Sequence, residues 1–249
     1  MSAPAALWVL FQSKPVFDPA VIAGALGPGA FVEGAETLLS VRLREHALRV
    51  ISLGAPLPGE IVDQCLPVAH LRPDQKAQLR SHSAHALIVY EAGTPGPDGF
   101  VALYETAWAL RDDALLGVMN PVTWMCLTGE MLAQTMERDF VEAVRASPAE
   151  SLGLWLGFVK MFKPDGSTWL VTRGGWLVGL PDLAWLAADL TETDAVATMF
   201  AGILDYAHTS GTRLSVGDAV DFGEGPLRVR APYEYVEHLG EETLVLEPR

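Results

Sequence analysis

The feature that most constrains the fold is a pair of apolar segments joined by a tight turn. LWLGFVKMFK (154–163) runs into Pro164-Asp165-Gly166, and STWLVTRGGWLVG (167–179) follows. An Asp-Gly pair between two runs rich in β-branched and aromatic residues is a strong signal for a β-hairpin. The sequence therefore predicts an antiparallel sheet in the C-terminal part of the chain.

A helix and three short strands are predicted after this hairpin. Thr191-Glu192-Thr193-Asp194 forms a capping box, which favours a helix over 195–208. Residues 147–249 are therefore predicted to form a hairpin–helix–strand α+β half. The three strands are expected near 219–222, 227–230 and 243–246.

The N-terminal half, residues 1–146, is predicted to be a ferredoxin-like α+β half that packs with the second half as one compact unit. Its first elements follow the order β-α-β-β-α-β, which is typical of ferredoxin-like domains. The fold class expected for the chain is α+β, with an antiparallel or mixed sheet covered by helices. The elements are strand 6–12, a helix opened by Asp18-Pro19, strands 37–43 and 47–53, helix 72–82, strand 86–91, helix 100–111, strand 115–119 and helix 127–144.

The chain carries a net charge of −14, and its last third is the most acidic part. Residues 182–249 contain 13 acidic and 4 basic side chains. Such a surface repels phosphate backbones and anionic lipid, so neither nucleic-acid nor membrane binding is expected. It favours a basic protein partner by electrostatic steering; an acidic surface that serves only solubility is the alternative.

Other sequence signals indicate a cytoplasmic protein without a cofactor. No apolar run approaches the roughly 20 residues that span a bilayer, and no basic residue precedes the apolar start of the chain, as a signal peptide would require. Cys65 and Cys126 lack CxxC spacing and are expected to be reduced and buried. The chain contains neither a phosphate-binding loop nor a GxSxG nucleophile elbow.

His82 and His85 are the candidate metal ligands. Residues three apart on a helix face the same way and can reach one zinc ion. The element changes from helix to strand at this point, and no HExxH motif or nearby carboxylate pair supplies further ligands. The structural alternative is that one imidazole caps the helix C-terminus and the other is a hydrogen-bonded buried side chain.

Tryptophans of the hairpin and an acidic loop are the candidate binding residues. Any of the tryptophans that share an outer sheet face would form an exposed aromatic patch, although core packing is the competing interpretation. The acidic loop lacks the spacing of a calcium-binding loop, so ordinary turn chemistry is its alternative. The candidates are Trp155, Trp169 and Trp176 of the hairpin and Asp218, Asp221 and Glu224 of the loop.

Several stretches together resemble the bacterial family named domain of unknown function 4261. The resemblance implies a bacterial cytosolic α+β protein and transfers no active site. Where similar proteins tend to have threonine, this chain has Ala219, which weakens a catalytic interpretation of that loop. The stretches are APLPG (55–59), HSAHALIV (82–89), FKPDGSTWLVTRGGWLVGLPDLAWL (162–186), GILDYAHTSGTRLSVGDAVDF (202–222) and LRVRAPY (227–233).

The leading functional prediction is a non-enzymatic interaction module, such as an immunity-type or accessory protein that binds a basic toxin or effector. The acidic last third, the aromatic-rich hairpin and the lack of a catalytic motif favour it. The alternative is a metal-dependent hydrolase that uses His82 and His85. A small-molecule sensor is a third functional class, and no particular residue in the sequence favours it.

Overall fold

A computed structural model describes residues 5–91, 95–152, 154–221, 225–233 and 235–249. The chain divides into two compact units. Unit 1 comprises residues 1–67 and 71–145, and unit 2 comprises residues 68–70 and 146–249. Each unit contains one sheet with helices, so the α+β class predicted from the sequence is confirmed.

Unit 1 is built on a seven-stranded sheet whose neighbouring strands are all antiparallel, in the order β2-β3-β4-β5-β1-β6-β7. Helix α4 packs against β1, β4 and β5. The strands are β1 (Ala6–Phe11), β2 (Phe31–Ala35), β3 (Leu38–Leu43), β4 (His46–Leu53), β5 (Ala84–Tyr90), β6 (Leu115–Asn120) and β7 (Met125–Thr128). The helices are α1 (Pro19–Leu26), α2 (Gly59–Cys65), α3 (Pro73–Arg80), α4 (Pro97–Ala109), α5 (Gly129–Thr135) and α6 (Arg138–Ala146), whose last residue falls in unit 2.

Local sequence explains several of these elements. Asp18 caps α1, because its carboxylate accepts the N–H of Ala20 at 2.8 Å, and Pro19 occupies the first helical position. The predicted turn between β3 and β4 is confirmed: Leu43 pairs with His46, and Arg44 takes a φ of 57°. Along β4 every second side chain is buried, as expected for a strand with one face on the core.

The predicted ferredoxin-like half is not confirmed. Strand β2 and helix α2 interrupt the β-α-β-β-α-β order, and β5 lies between β4 and β1. The predicted helix over 127–144 is wrong at its start. Met125–Thr128 pairs with β6 as a strand, and the helical residues divide into α5 and α6.

Unit 2 is built on a six-stranded sheet in the order β11-β12-β13-β10-β9-β8. The β8–β9 hairpin matches the sequence prediction, with Phe162 opposite Thr168 across the turn. The only parallel pair among the described strands of this sheet is β10 with β13. The strands are β8 (Gly157–Phe162), β9 (Thr168–Arg173), β10 (Leu183–Ala187), β11 (Ala219–Asp221), β12 (Pro226–Arg230) and β13 (Leu244–Pro248); the helices are α7 (Thr193–Ser210) and α8 (Val236–Leu239).

Both faces of β9 are covered. Helix α7 packs against β9 and β10, and its Phe200 meets Phe158 of β8 edge-on, with ring centroids 6.1 Å apart. On the other face Tyr235 meets Trp169 edge-on at 5.1 Å. Within the part of the chain that the structure describes, no helix combines the length and apolarity needed to cross a bilayer.

Candidate functional site

His82 and His85 hold a loop through its backbone. His82 donates its Nδ1–H to the carbonyl of Leu79, 2.7 Å away, and its Nε2 accepts the N–H of Leu57 at 2.8 Å. His85 donates its Nδ1–H to the carbonyl of Ala55 at 2.7 Å. One histidine thus binds the last turn of α3 as the structural alternative predicted, and the pair together fixes the loop between β4 and α2.

These contacts leave the histidine pair poorly suited to hold a metal ion. Both ring nitrogens of His82 are engaged, so no lone pair remains for a cation. Burial lowers the pKa of His85, which favours its neutral ring. Among the described residues, no three His, Cys, Asp or Glu side chains gather where they could hold a metal ion. The contacts of His82 therefore do not support the metal-dependent alternative.

Cys65 and Cys126 lie side by side, a proximity that their separation in sequence did not indicate. Both thiols are buried, one on α2 and one on β7. Their mutual hydrogen bond, together with burial, raises the pKa of the Cys126 thiol. Because the thiolate is the nucleophile, a raised pKa makes Cys126 unreactive at neutral pH.

Two of the three candidate tryptophans pack in the core, as the competing interpretation predicted, so the three form no shared exposed patch. Trp155 and Trp169 are each only 2% exposed and belong to the core of unit 2, whereas Trp176 is 43% exposed. For Trp169 the physical reason is that β9 is buried on both faces, so alternation along the strand leaves neither side of it free. Of the three predicted residues, only Trp176 can contact a partner.

Trp176 lies on a turn whose shape is fixed by glycines and a carboxylate. Gly174 has a φ of 95°, and the chain enters a 3-10 turn over Gly175–Val178. Asp182 accepts the N–H of Gly175 at 2.8 Å. A Cβ at Gly175 would lie 2.6 Å from the carbonyl oxygen of Pro181, so this position requires glycine.

A cleft of about 540 Å³ in unit 2 contains two of the three predicted acidic residues, and we call it the α7–β11 cleft. Asp218 and Asp221 lie on its strand side, whereas Glu224 falls outside the described residues. Asp218 also accepts the N–H of Ser215 at 2.8 Å, which holds the loop before β11. The cleft is lined by Ile203, Tyr206, Thr212, Leu214, Asp218, Ala219, Val220 and Asp221.

The helix side of the α7–β11 cleft was not foreseen from the sequence. Ile203 is buried and faces the sheet, while Tyr206, three residues on, is 60% exposed. On a helical wheel Tyr206 falls at the border of the buried face of α7, which is the one signal that could have indicated it. Together with Leu214 and Val220, these residues supply an aliphatic floor and an exposed phenol in the cleft that Asp218 and Asp221 border.

Asp218 and Trp176 lie at the same end of the unit 2 sheet. Strand β9 ends shortly before Trp176, and Asp218 immediately precedes β11. The antiparallel and parallel pairings in between bring the end of β9 and the start of β11 to one side. Four interstrand spacings separate them, roughly 19 Å. Trp176 is therefore a neighbour of the cleft at one sheet end and does not line it.

Unit 1 contains a second, more polar cleft of about 560 Å³, whose two cations are already engaged. Arg111 lies over the ring of Trp108, 4.2 Å from its centroid, and donates to the Trp108 carbonyl. Arg72 pairs with Asp74 at 3.1 Å. These internal contacts leave both guanidinium groups committed, which makes this cleft the weaker candidate for ligand binding.

No family model matches the chain, and neither a curated protein nor a solved structure matches it. The resemblance to the domain of unknown function 4261 family therefore stays a prediction.

Proposed function

We propose that this protein is a non-enzymatic interaction module that binds a basic protein partner at the α7–β11 cleft. The observation that carries the proposal is the composition of the cleft wall. Asp218 stands beside an aliphatic floor and the exposed ring of Tyr206, Asp221 borders the cleft on β11, and no lysine or arginine lines the described wall. Such a wall suits a segment that combines an apolar side chain with a positive charge.

The charge of unit 2 supports the same partner class. Residues 68–70 and 146–249 carry 15 acidic and 7 basic side chains, a net charge of −8. Part of the positive charge is used internally: Lys163 pairs with Asp165 at 3.0 Å, and Arg230 pairs with Glu247 at 2.7 Å. The remaining negative field accelerates the approach of a basic protein and repels acidic competitors.

An immunity-type or accessory role in the bacterial cytoplasm is the biological setting we propose. A protein that neutralises or escorts a basic toxin or effector needs a complementary surface and no catalytic group. The exposed Trp176, held on its fixed turn at the same sheet end, would extend the contact beyond the cleft.

The test is affinity capture with the tagged full chain and two charge-matched variants, at low and moderate salt. Asp218→Asn with Asp221→Asn removes the two carboxylates of the cleft and keeps their shape. Glu33→Gln with Glu36→Gln removes the same charge from the exposed β2–β3 hairpin of unit 1.

We expect recovery of one basic protein to fall about tenfold with the cleft variant, to fall with salt, and to be unchanged with the control. Equal recovery with both variants would show that the interface lies outside the cleft. Recovery of no basic protein would refute the proposed function.

A further inference from the structure

The C-terminal end of α7 contributes to the wall of the α7–β11 cleft. Helix α7 ends at Ser210, and the lining residues Tyr206 and Thr212 lie before and after that end. The last carbonyl groups of a helix lack partners within the helix and carry a partial negative charge, which favours a cation nearby. Asp218, on the strand side of the same cleft, adds a full negative charge. Two separate sources of negative potential therefore meet in this cleft.

Tyr206 contributes an aromatic ring that can take a ligand from outside the chain. Its side chain is exposed, and no cation of the described residues lies over its ring. Arg213 stands between two lining residues in the sequence but does not line the cleft itself. Because the face of an aromatic ring attracts cations, the ring of Tyr206 is available to a positive charge that a partner supplies.

The end of α4 shows how this protein holds a guanidinium group on an aromatic ring. Arg111 lies over the ring of Trp108, 4.2 Å from its centroid, and donates to the Trp108 carbonyl at 2.8 Å. Trp108 stands near the C-terminal end of α4, as Tyr206 does in α7. At α4 the chain supplies the arginine three residues later, whereas at α7 the residue at that spacing is Thr209.

The carboxylate of Asp218 is held in place by the chain. One of its oxygens accepts the N–H of Ser215 at 2.8 Å, and its carbonyl accepts the N–H of Val229 at 2.9 Å. The other carboxylate oxygen has no hydrogen bond among the residues that the structure describes. A carboxylate accepts several hydrogen bonds, so Asp218 can bind a guanidinium group without losing Ser215.

We propose that the α7–β11 cleft recognises arginine side chains of its basic partner in preference to lysine. The inference rests on the proposed function and names the residue type that the site selects. The guanidinium plane stacks on Tyr206 and donates to the carboxylate of Asp218, while the methylene stem packs on the aliphatic floor of Ile203, Leu214 and Val220. A lysine ammonium is compact and strongly hydrated, so it gains less from the ring.

The test compares three peptides that differ in one type of side chain. The probes are acetyl-Leu-Arg-Leu-Arg-Leu-amide and the same peptide with lysine or citrulline in place of arginine; citrulline keeps the shape of arginine and removes its charge. Calorimetric titration of the full-length protein gives the three dissociation constants. We expect the arginine peptide to bind about tenfold more tightly than the lysine peptide, and the citrulline peptide to bind more weakly than both.

Variants of the full-length protein assign the preference to its two groups. Tyr206→Leu should reduce the affinity for the arginine peptide to that for the lysine peptide, because the ring is lost while an apolar surface remains. Tyr206→Phe keeps the ring and should keep the preference. Asp218→Asn should weaken both cationic peptides to a similar extent. Tyr233→Leu alters another exposed tyrosine of unit 2, outside the cleft, and is the matched control that should change nothing.

The outcomes separate this inference from the proposed function. Equal affinity for the arginine and lysine peptides, a preference that persists in Tyr206→Leu, or no binding of the arginine peptide up to about 1 mM would overturn the arginine site. Affinity capture of a basic protein that depends on Asp218 and Asp221 but is unchanged by Tyr206→Leu would keep the proposed function and refute the arginine site. Failure of both the capture and the peptide binding would refute both.

Discussion

The β8 and β11 strands form the two edges of one sheet, and the two edges differ in what lies beside them. The β8 edge is covered by Val68–His70, which comes from a distant part of the sequence, and it is stiffened by an aromatic stack. The β11 edge has a three-residue strand next to a cleft. Uncovered edges invite pairing with other chains, and proteins usually cover them or keep them short. A distant segment of the chain therefore pairs with one edge, whereas the other edge borders the cleft where we propose that the partner binds.

The largest difference in the free energy of unfolding should come from replacing two side chains of α7, one that packs near the β8 edge and one that lines the cleft. Phe200→Ala removes a fully buried ring that packs under Phe158 near the β8 edge, and should lower the free energy of unfolding by about 3–5 kcal/mol. Tyr206→Ala, on the cleft side, should stay within about 0.5 kcal/mol. Urea unfolding followed by tryptophan fluorescence measures both. Similar losses would mean that the cleft side is part of the core.

Proline substitution at an outward N–H group should give a smaller difference in the free energy of unfolding between the two edges. Lys160→Pro deletes the bond to Val68 and should cost about 1–2 kcal/mol of unfolding free energy. Ala219→Pro deletes an N–H without a described partner and should stay within about 0.5 kcal/mol. Thermal unfolding of the two variants beside the parent gives the comparison. A larger loss at Ala219 would show that the β11 edge is paired within the chain.

Acid should lower the stability of the β8–β9 hairpin through Asp165, which lies at its tip. Hydrogen bonds from Ser167 and the ammonium of Lys163 lower the pKa of Asp165 to about 2. Since the folded-state pKa lies below the ordinary value of 3.8, its contribution to stability is present above that value and is lost as the pH falls toward 2. Asp165→Asn should remove this part of the pH dependence, measured as urea midpoints between pH 5 and pH 2. An unchanged slope would show that Asp165 gains nothing from its contacts.

Local signals predicted the elements that depend on local chemistry. The Pro164-Asp165-Gly166 turn predicted the β8–β9 hairpin. The bounds of α7 lie within two residues of the prediction at each end, but the predicted capping box is wrong, because no side chain caps the first turn and the Glu192 carboxylate accepts from Trp185 and Ala188. Elements created by their neighbours were missed. Met125–Thr128 lies at the start of a run with helical character, but it is a strand because β6 lies alongside it. Strand β10 likewise owes its place to β9 and β13.

The candidate site shows the same division. Asp218 and Asp221 stood out in the sequence as an acidic loop beside a short strand, and both line the cleft. The sequence left two interpretations open for Trp169, because strand alternation cannot reveal that Tyr235 covers the second face of β9. The contribution of Tyr206 depends on how α7 lies against β11, which is a tertiary relationship that no local pattern encodes.

The position of β13 inside its sheet determines when unit 2 can complete its sheet during synthesis. In unit 1 the interior strand β1 is the first to leave the ribosome, so later strands can assemble around it. In unit 2 the interior strand β13 is the last to be made, and without it β11 and β12 are an isolated two-stranded ribbon, which is marginally stable at best. The strand side of the α7–β11 cleft therefore forms only once residues 244–248 have been synthesised and inserted. A partner that recognises this cleft would bind chains in which β13 has joined the sheet and would ignore shorter nascent ones.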